Sequence, residues 1–364
     1  MPTPALTEVT STREIRATRA RAGVDALRAA YLELLKLCLC DLTGEGTASV
    51  DSTKDGRLYV RELKGAELQL RATGRDWPLR GLTMVGLDRL DDLQACVESV
   101  VAEGVEGDLV EAGSWRGGAS ILMRATLDSL GADERTVWVA DSFEGFPVAD
   151  APELRQGDEM HGLEFLSIPL EKVMGYFARF GCENGIRFVP GFFQETMPQL
   201  RGRRWSIVRL DGDTYEATWV TLETLYPGLS AGGHLIVDDY GALEVCRHAV
   251  DDFRRERGIT EPLEEVDWTA VRWRKESDGA PPAAGEPEAT PRREVEPSIS
   301  ARGVRPRADA RIPSQRELEL ERELTALREQ LAAARAEPAR PRRSLVARLA
   351  DGLRRRGRRT DSAE

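Results

Sequence analysis

The chain has 364 residues, of which 41% are hydrophobic, and this is enough for one large α/β domain with accessory segments or for two ordinary domains. The formal net charge of -11 argues against a general nucleic-acid-binding protein, because phosphate contacts need an excess of Lys and Arg. Five cysteines without a CxxC pair predict that the protein has no disulfide framework. A polar N-terminal stretch predicts no secretory signal, and no apolar run reaches the roughly 20 residues that a membrane helix needs. Together these features predict a cytoplasmic protein.

The first 80 residues are predicted to lie outside the main domain. Residues 1–27 are predicted to be a frayed polar lead-in. An amphipathic helix is predicted over residues 28–43, because four leucines recur there at three- and four-residue spacing, namely Leu32, Leu35, Leu39 and Leu42. Residues 44–80 are rich in Gly and charged residues and are predicted to be irregular. Residues 28–80 together are predicted to form a helical lid or dimerisation segment, and plain packing of the helix is an equally open interpretation.

An alternation of strands and helices is predicted from residue 81 to residue 275. Each predicted strand is a short apolar run that ends near Gly, Pro or Asp, and the segments between have helical periodicity. Such βαβ alternation predicts an α/β fold with a doubly wound, mostly parallel sheet, and a closing hairpin adds an antiparallel strand at its end. The predicted strands cover residues 108–112, 136–140, 186–189, 206–210 and 234–237, the hairpin covers 264–267 and 270–274, and two of the helices cover 118–130 and 215–225.

The segment after residue 275 is predicted to have three parts. Residues 276–313 are rich in Pro, Ala, Gly and Glu and are predicted to be a disordered linker. Residues 314–337 are predicted to form a short coiled-coil-like helix that would support a homo-oligomer, because Leu320, Leu324, Leu327 and Leu331 alternate four- and three-residue steps. Residues 338–364 form an Arg-rich tail. Two interpretations of this tail stay open: contact with an anionic partner or membrane surface, or a solvated segment without a specific partner.

A glycine loop follows the first strand of the predicted domain, at the sheet edge where open parallel sheets bind ligands. Gly113, Gly117 and Gly118 let the backbone approach a ligand closely, but the loop matches neither GxGxxG nor a P-loop. Glu111 before the loop is placed to bond an ammonium group, and Asp141 after the next strand is placed to bond ribose hydroxyls. The combination fits a nucleoside with a cationic tail, such as S-adenosylmethionine, while the alternative is an ordinary tight turn.

Three further acids, Asp211, Asp238 and Asp239, each follow a predicted strand and are therefore expected to converge. Carboxylates brought so close together repel one another unless a cation lies between them. Oxygen ligands without Cys or His select Mg²⁺ over zinc. The metal would bind two vicinal hydroxyls, lower the pKa of one of them and hold it in line with the methyl group, with Asp211 as the proton acceptor. The alternative is that Asp238 is a helix cap and Asp239 a solvated turn residue.

At these residues the sequence resembles the macrocin O-methyltransferase family, which methylates deoxysugars on macrolides. The resemblance covers about residues 28–275 and departs from the family in two places. Gly81 and Leu82 replace a small residue and His before the core, and the glycine loop reads EAGSW rather than ETGVW. The matching stretches include DLVEAGSWRGGASILMRATL at 108–127, TVWVADSFEGFP at 136–147, VRLDGDTYEAT at 208–218 and GGHLIVDDYGALEVCRHAVDDFR at 232–254.

The resemblance implies a seven-stranded methyltransferase fold, a small-molecule glycosylated substrate, and Mg²⁺ held by Asp211, Asp238 and Asp239 with Asp211 as the base. It implies that the S-adenosylmethionine site is lined by Thr83, Met84, Glu111, Ala112, Gly113, Ser114, Trp115, Asp141, Ser142, Phe143, Glu144, Gly145, Gly191 and Phe192.

Competing functions are a catechol-type methyltransferase, which needs the same chelation of two adjacent oxygens, and a non-catalytic scaffold that works through its C-terminal segments. A nucleotide-sugar enzyme on a similar fold is disfavoured by the missing GxGxxG. His161 lies in a predicted loop over residues 147–165. It either assists proton transfer or contacts substrate there, or it is simply solvated.

Overall fold

The computed structural model describes residues 12–53, 57–146 and 164–278. The predictions for His161, for the coiled-coil-like helix and for the basic tail lie outside these residues, as does almost all of the predicted linker. In chain order the helices and strands are α1 Thr12–Leu39, β1 Ala48–Ser52, β2 Leu58–Glu62, α2 Leu68–Ala72, β3 Trp77–Pro78, α3 Gly86–Ala102, β4 Asp108–Ala112, α4 Gly118–Leu130, β5 Val137–Asp141, α5 Leu170–Arg179, β6 Ile186–Pro190, α6 Phe193–Thr196, β7 Trp205–Leu210, α7 Tyr215–Leu225, β8 Leu229–Val237, α8 Glu244–Arg257, β9 Glu264–Glu265 and β10 Val271–Arg274.

A seven-stranded sheet in the order β6-β5-β4-β7-β8-β10-β9 forms the centre of the fold. Strands β6, β5, β4, β7 and β8 are parallel, and the hairpin of β9 and β10 adds antiparallel strands beside β8. The predicted doubly wound fold is therefore confirmed, including its closing hairpin. The chain runs outward from β4 through β5 to β6 and then returns to β7, so the strand order reverses between β4 and β7.

Alternate residues of the strands face two separate apolar layers, as expected for a sheet covered on both faces. On β7, Ile207 belongs to the layer formed with α1, α3, α4 and α5. Its neighbour Val208 belongs to the layer formed with α7 and α8. All six residues of β7 are buried, which fixes this strand at the centre of the molecule.

The register of the sheet brings four strand ends to the same level. Ala112 at the end of β4 pairs with Ala140 on one side and with Leu210 on the other, and Leu210 pairs with Val237. The residues that follow these four positions are Gly113, Asp141, Asp211 and Asp238. The predicted meeting of the glycine loop and the acids at one sheet edge thus follows directly from the strand pairing.

Helix α1 begins at Thr12, 16 residues before the predicted start at residue 28. The prediction of a lead-in without structure over residues 1–27 is therefore wrong from Thr12 onward. The physical reason is composition, because residues 12–27 are rich in Ala and Arg, which have high helix propensity. The predicted apolar face is confirmed for Leu32, Leu35 and Leu39, which are buried in the core.

Residues 44–80, predicted to be irregular, instead contain a small three-stranded sheet in the order β2-β1-β3, together with helix α2. Strand β1 pairs antiparallel with both β2 and β3. Val50 and Leu58 pack with Phe165 beneath this sheet. These strands are only two to five residues long and largely polar, so their apolar alternation is too brief to predict a sheet.

None of the helices in the described part of the chain combines the length and the apolar character that a membrane crossing requires.

Candidate active site

Three carboxylates meet at the carboxyl edge of the large sheet. Single carboxylate oxygens of Asp211, Asp213 and Asp239 lie within 4.8 Å of one another. Asp211 is the first residue after β7, and Asp239 is the second residue after β8. Because these neighbouring strands are parallel, they place the two carboxylates at the same edge of the sheet. Asp213 belongs to the same Asp-Gly-Asp turn as Asp211, but the predicted metal set omits it.

Asp239 is strongly perturbed by its position in this cluster. Its Oδ2 atom is buried and has no hydrogen-bond partner among the residues that the structure describes. Burial, followed by the nearby carboxylates of Asp213 and Asp211, raises the pKa of Asp239 well above its ordinary value. Burial also raises the pKa of Asp211, with a contribution from Asp238. A positive ion placed among these carboxylates would relieve their repulsion and stabilise their ionised forms.

Asp238, the third predicted metal ligand, is engaged by two arginines. Its Oδ1 atom accepts a hydrogen bond of 2.5 Å from Arg209, and its Oδ2 atom accepts one from Arg89. Burial alone would raise the pKa of Asp238, but the two guanidinium groups outweigh burial and hold the pKa below its ordinary value. Asp238 is therefore ionised and held in place beside the acid cluster.

Arg209 is the centre of this ionic network, and the sequence interpretation did not identify it. The side chain lies on β7 and is 3% exposed. Its guanidinium contacts Glu111 at 2.6 Å, Asp211 at 3.0 Å and Asp238 at 2.5 Å. The available signal was an arginine between Val208 and Leu210 in a fully buried strand, because a buried charge requires partners.

The predicted cofactor acids Glu111 and Asp141 are both engaged within the protein. Glu111 pairs with Arg209 and accepts a hydrogen bond from Ser120, and burial raises its pKa to about 7 despite the nearby guanidinium. Asp141 accepts backbone hydrogen bonds from Ser114 at 2.7 Å and Trp115 at 3.0 Å through Oδ2. Asp141 thereby fixes the glycine loop in the position from which it can receive a ligand.

Three residues of the strand-end loops that are not glycine adopt left-handed backbone conformations. Trp115 has a φ of 50°, Phe143 of 56° and Asp213 of 57°. Such conformations cost free energy and persist where surrounding contacts enforce them. Around Trp115 these contacts include the hydrogen bond to Asp141, an indole hydrogen bond to the carbonyl of Phe165 and the guanidinium of Arg116 at 3.9 Å from the ring centroid.

Two adjoining cavities open at this edge of the sheet. The first, called the acceptor cavity below, has a volume of about 900 Å³ and lies over the carboxylates of the cluster. The second, called the cofactor cavity, has a volume of about 1000 Å³. Both volumes include space that is open to solvent. The cavities meet, because both are lined by Met84, Trp115, Leu166, Asp211 and Asp213. A ligand in one cavity therefore lies next to a ligand in the other.

Most of the residues predicted to hold the cofactor line these cavities. Met84, Gly113, Trp115, Asp141, Ser142, Gly145 and Phe192 line the cofactor cavity, and Thr83, Glu111 and Ser114 line the acceptor cavity. Ala112, Phe143, Glu144 and Gly191 line neither cavity. Phe143 instead packs its ring against Phe188, and Ala112 is fully buried in the sheet. Lining residues that the sequence interpretation missed include Trp77, Arg89 and Trp268.

Replacing Gly113 by Ala is expected to lower the free energy of unfolding by about 3 kcal/mol or more. Gly113 has a φ of +91°, and a Cβ atom there would lie 1.7 Å from the carbonyl oxygen of Asp211. Gly131→Ala is the matched control, because Gly131 also has a left-handed φ, of +71°, but a Cβ there meets nothing within 4 Å. The control is expected to cost about 1 to 2 kcal/mol in urea unfolding. Equal losses in the two variants would show that close approach at Gly113 is unimportant.

Comparison with known proteins assigns this chain to a family. A sequence profile of the macrocin O-methyltransferase family (TylF) matches residues 28–275. The chain belongs to the macrocin O-methyltransferase family. It is an S-adenosylmethionine-dependent O-methyltransferase. Its glycine loop and two adjoining cavities lie at the carboxyl edge of the sheet.

Individual relatives each match about two thirds of this methyltransferase. The chain is 46% identical over 248 residues to 8-demethyl-8-(2,3-dimethoxy-alpha-L-rhamnosyl)-tetracenomycin-C 4'-O-methyltransferase of Streptomyces olivaceus, covering 67% of this chain and 92% of the relative. It is 38% identical over 251 residues to mycinamicin III 3''-O-methyltransferase of Micromonospora griseorubida, covering 67% and 96%. The structure of the O-methyltransferase NovP superposes with a TM-score of 0.62 at 36% identity, covering 68% and 99%.

Proposed function

We propose that this methyltransferase methylates a sugar hydroxyl of a glycosylated natural product with the help of a bound Mg²⁺ ion. The observation that carries the proposal is the meeting of a carboxylate cluster with the cofactor cavity. The names of the relatives support the sugar, since one describes a 4'-O-methyltransferase of a rhamnosyl-bearing compound and another a 3''-O-methyltransferase. A rhamnoside is therefore a suitable first acceptor to test.

The residues present fit a divalent cation. The clustered groups are hard oxygen donors. Among the described residues, neither His nor Cys lines the acceptor cavity, and none bonds the buried Oδ2 atom of Asp239. We assign the ion to Asp211 and Asp239 of the predicted set together with Asp213. The third predicted ligand, Asp238, lies outside this cluster, and both of its carboxylate oxygens accept hydrogen bonds from arginines. When bound, Mg²⁺ lowers the pKa of a coordinated hydroxyl and draws two vicinal hydroxyls to one position.

The chain's own residues then have separate tasks. Asp211 accepts the proton of the acceptor hydroxyl, because it lies where the two cavities meet. The glycine loop binds S-adenosylmethionine in the cofactor cavity, and Asp141 keeps that loop in place through its hydrogen bonds to Ser114 and Trp115. Glu111, a predicted cofactor ligand, instead lines the acceptor cavity, and its two oxygens are bonded to Arg209 and Ser120. Arg209 also bonds Asp211 and thereby holds the proton acceptor where the two cavities meet.

Calorimetry of S-adenosylmethionine binding, followed by transfer of a labelled methyl group to a panel of glycosides and catechols, tests the proposal. We expect cofactor binding by the full chain and labelling of glycosides that carry vicinal hydroxyls. Labelling of catechols alone would replace the sugar by an aromatic acceptor. Absence of cofactor binding would refute the proposed reaction altogether and leave a scaffold role for the chain.

A further inference from the structure

Two indole rings in the wall of the acceptor cavity have no task in the reaction described so far. Trp77 comes from the three-stranded sheet, and Trp268 comes from the segment before β10. Both line the acceptor cavity and neither lines the cofactor cavity, whereas Trp115 lines both. A ligand that touches Trp77 and Trp268 is therefore the methyl acceptor rather than the methyl donor.

Both rings are fixed by contacts within the protein. The indole N–H of Trp268 donates a hydrogen bond of 2.9 Å to the carbonyl of Thr73, and the guanidinium carbon of Arg75 lies 4.4 Å from the ring centroid. The ring of Trp77 packs against Phe165 with a centroid separation of 4.9 Å. Because the polar atom of Trp268 is already bonded, this side chain offers the cavity only its carbon surface.

The acceptor cavity is consequently amphipathic, because both carboxylates and fixed aromatic carbon line it. A pyranose ring has matching chemistry, since its hydroxyl oxygens lie around the edge and its C–H groups form an apolar face. We propose that Trp77 and Trp268 bind the C–H face of the acceptor's pyranose ring and thereby turn its vicinal hydroxyls toward Asp211 and Asp239. This inference rests on the proposed sugar methylation and adds the residues that select the sugar.

The same geometry predicts a preference among sugars. A 6-deoxy sugar carries a methyl group in place of a hydroxymethyl group, so it presents more apolar surface to the two rings and buries one polar group fewer. The cavity is therefore expected to bind methyl α-L-rhamnopyranoside more tightly than methyl α-L-mannopyranoside, which differs from it by that one hydroxyl.

The test is a titration of the full chain with each glycoside in the presence of Mg²⁺ and S-adenosylhomocysteine, which has no methyl group to transfer. Saturation-transfer NMR reports binding and identifies the sugar protons that lie against aromatic rings. We expect Trp77→Ala and Trp268→Ala each to raise the Kd for the rhamnoside about tenfold and to reduce the preference over the mannoside. Trp77→Phe and Trp268→Phe keep an aromatic face, so we expect these variants to retain most of the affinity for the rhamnoside and most of the preference over the mannoside.

Trp219→Ala is the matched control, because Trp219 stacks on Tyr215 with a centroid separation of 6.0 Å and lines neither cavity. It is expected to leave the Kd for both glycosides unchanged. The inference is overturned if the Trp77 and Trp268 variants bind the rhamnoside as tightly as the wild type, or if the wild type binds neither glycoside. If an Ala variant fails to fold, the glycoside preference of the corresponding Phe variant decides. Cofactor binding measured in the same samples separates these outcomes from failure of the proposed methylation.

Discussion

Chelation of divalent cations with EDTA is expected to abolish methyl transfer by this methyltransferase, and added Mg²⁺ is expected to restore it. The physical reason is the carboxylate cluster of Asp211, Asp213 and Asp239, in which burial and mutual repulsion raise the pKa of Asp239 well above its ordinary value. Without a cation the raised pKa of Asp239 favours its protonated form, and nothing draws the two vicinal hydroxyls to the cluster for transfer of a proton. The measurement is the initial rate of labelled methyl transfer across a Mg²⁺ titration, after dialysis against EDTA.

Single substitutions assign the tasks within the cluster. Asp211→Asn is expected to lower kcat by a factor of about 10² to 10⁴, because it removes the proton acceptor and one cation ligand. Asp239→Asn is expected to weaken Mg²⁺ binding in calorimetry while the Kd for S-adenosylmethionine stays close to that of the wild type. Asp213→Asn is the informative comparison, since a larger loss of kcat there than in Asp211→Asn would transfer the role of the base to Asp213. Undiminished activity in EDTA would refute the metal mechanism.

The position of the site was predictable because it depends on strand order and strand ends. Short apolar runs ending in Gly113, Asp141, Asp211 and Asp238 predict parallel strands, and parallel strands place their carboxyl ends at one edge. No knowledge of side-chain packing was needed for that step. The structure adds the register, which sets these four residues level with one another.

The partners of the site residues were not predictable in the same way. Arg89 reaches Asp238 across 149 positions of sequence, and the bond depends on how α3 packs beside the sheet. The wall formed by Trp77 depends on a small sheet whose strands are too short and too polar to give a periodic signal. Local patterns report which elements form, whereas these contacts arise only once the elements have packed together.

Replacing Arg209 by Met is expected to be among the most destabilising single changes in the domain. The substitution keeps side-chain length but leaves the buried carboxylates of Glu111 and Asp238, and the half-buried one of Asp211, without the cation that they share. Breaking a buried pair by removing one partner costs about 3 to 5 kcal/mol. For a domain of this size such a loss lowers Tm by roughly 10 °C, measured in EDTA so that bound cations do not mask the effect. Arg187→Met, in an exposed position on the outer strand β6, is the control and is expected to change Tm little.

The pH dependence of the stability of the Arg209→Met variant shows whether the loss comes from unpaired buried carboxylates or from lost packing. Burial already raises the pKa of Glu111 to about 7, and removal of the neighbouring guanidinium raises that pKa further. Because the folded variant then binds a proton that the unfolded chain releases, its free energy of unfolding increases as the pH falls through the raised pKa. The deficit relative to the wild type is therefore expected to be largest well above pH 7 and to shrink as the pH falls toward 7, below which Glu111 is protonated in both proteins. Adding Glu111→Gln to this variant is expected to recover part of the stability at pH 8, because it removes the charge of one unpaired carboxylate. A deficit that is independent of pH and unaffected by Glu111→Gln would mean that Arg209 stabilises the fold only by filling space.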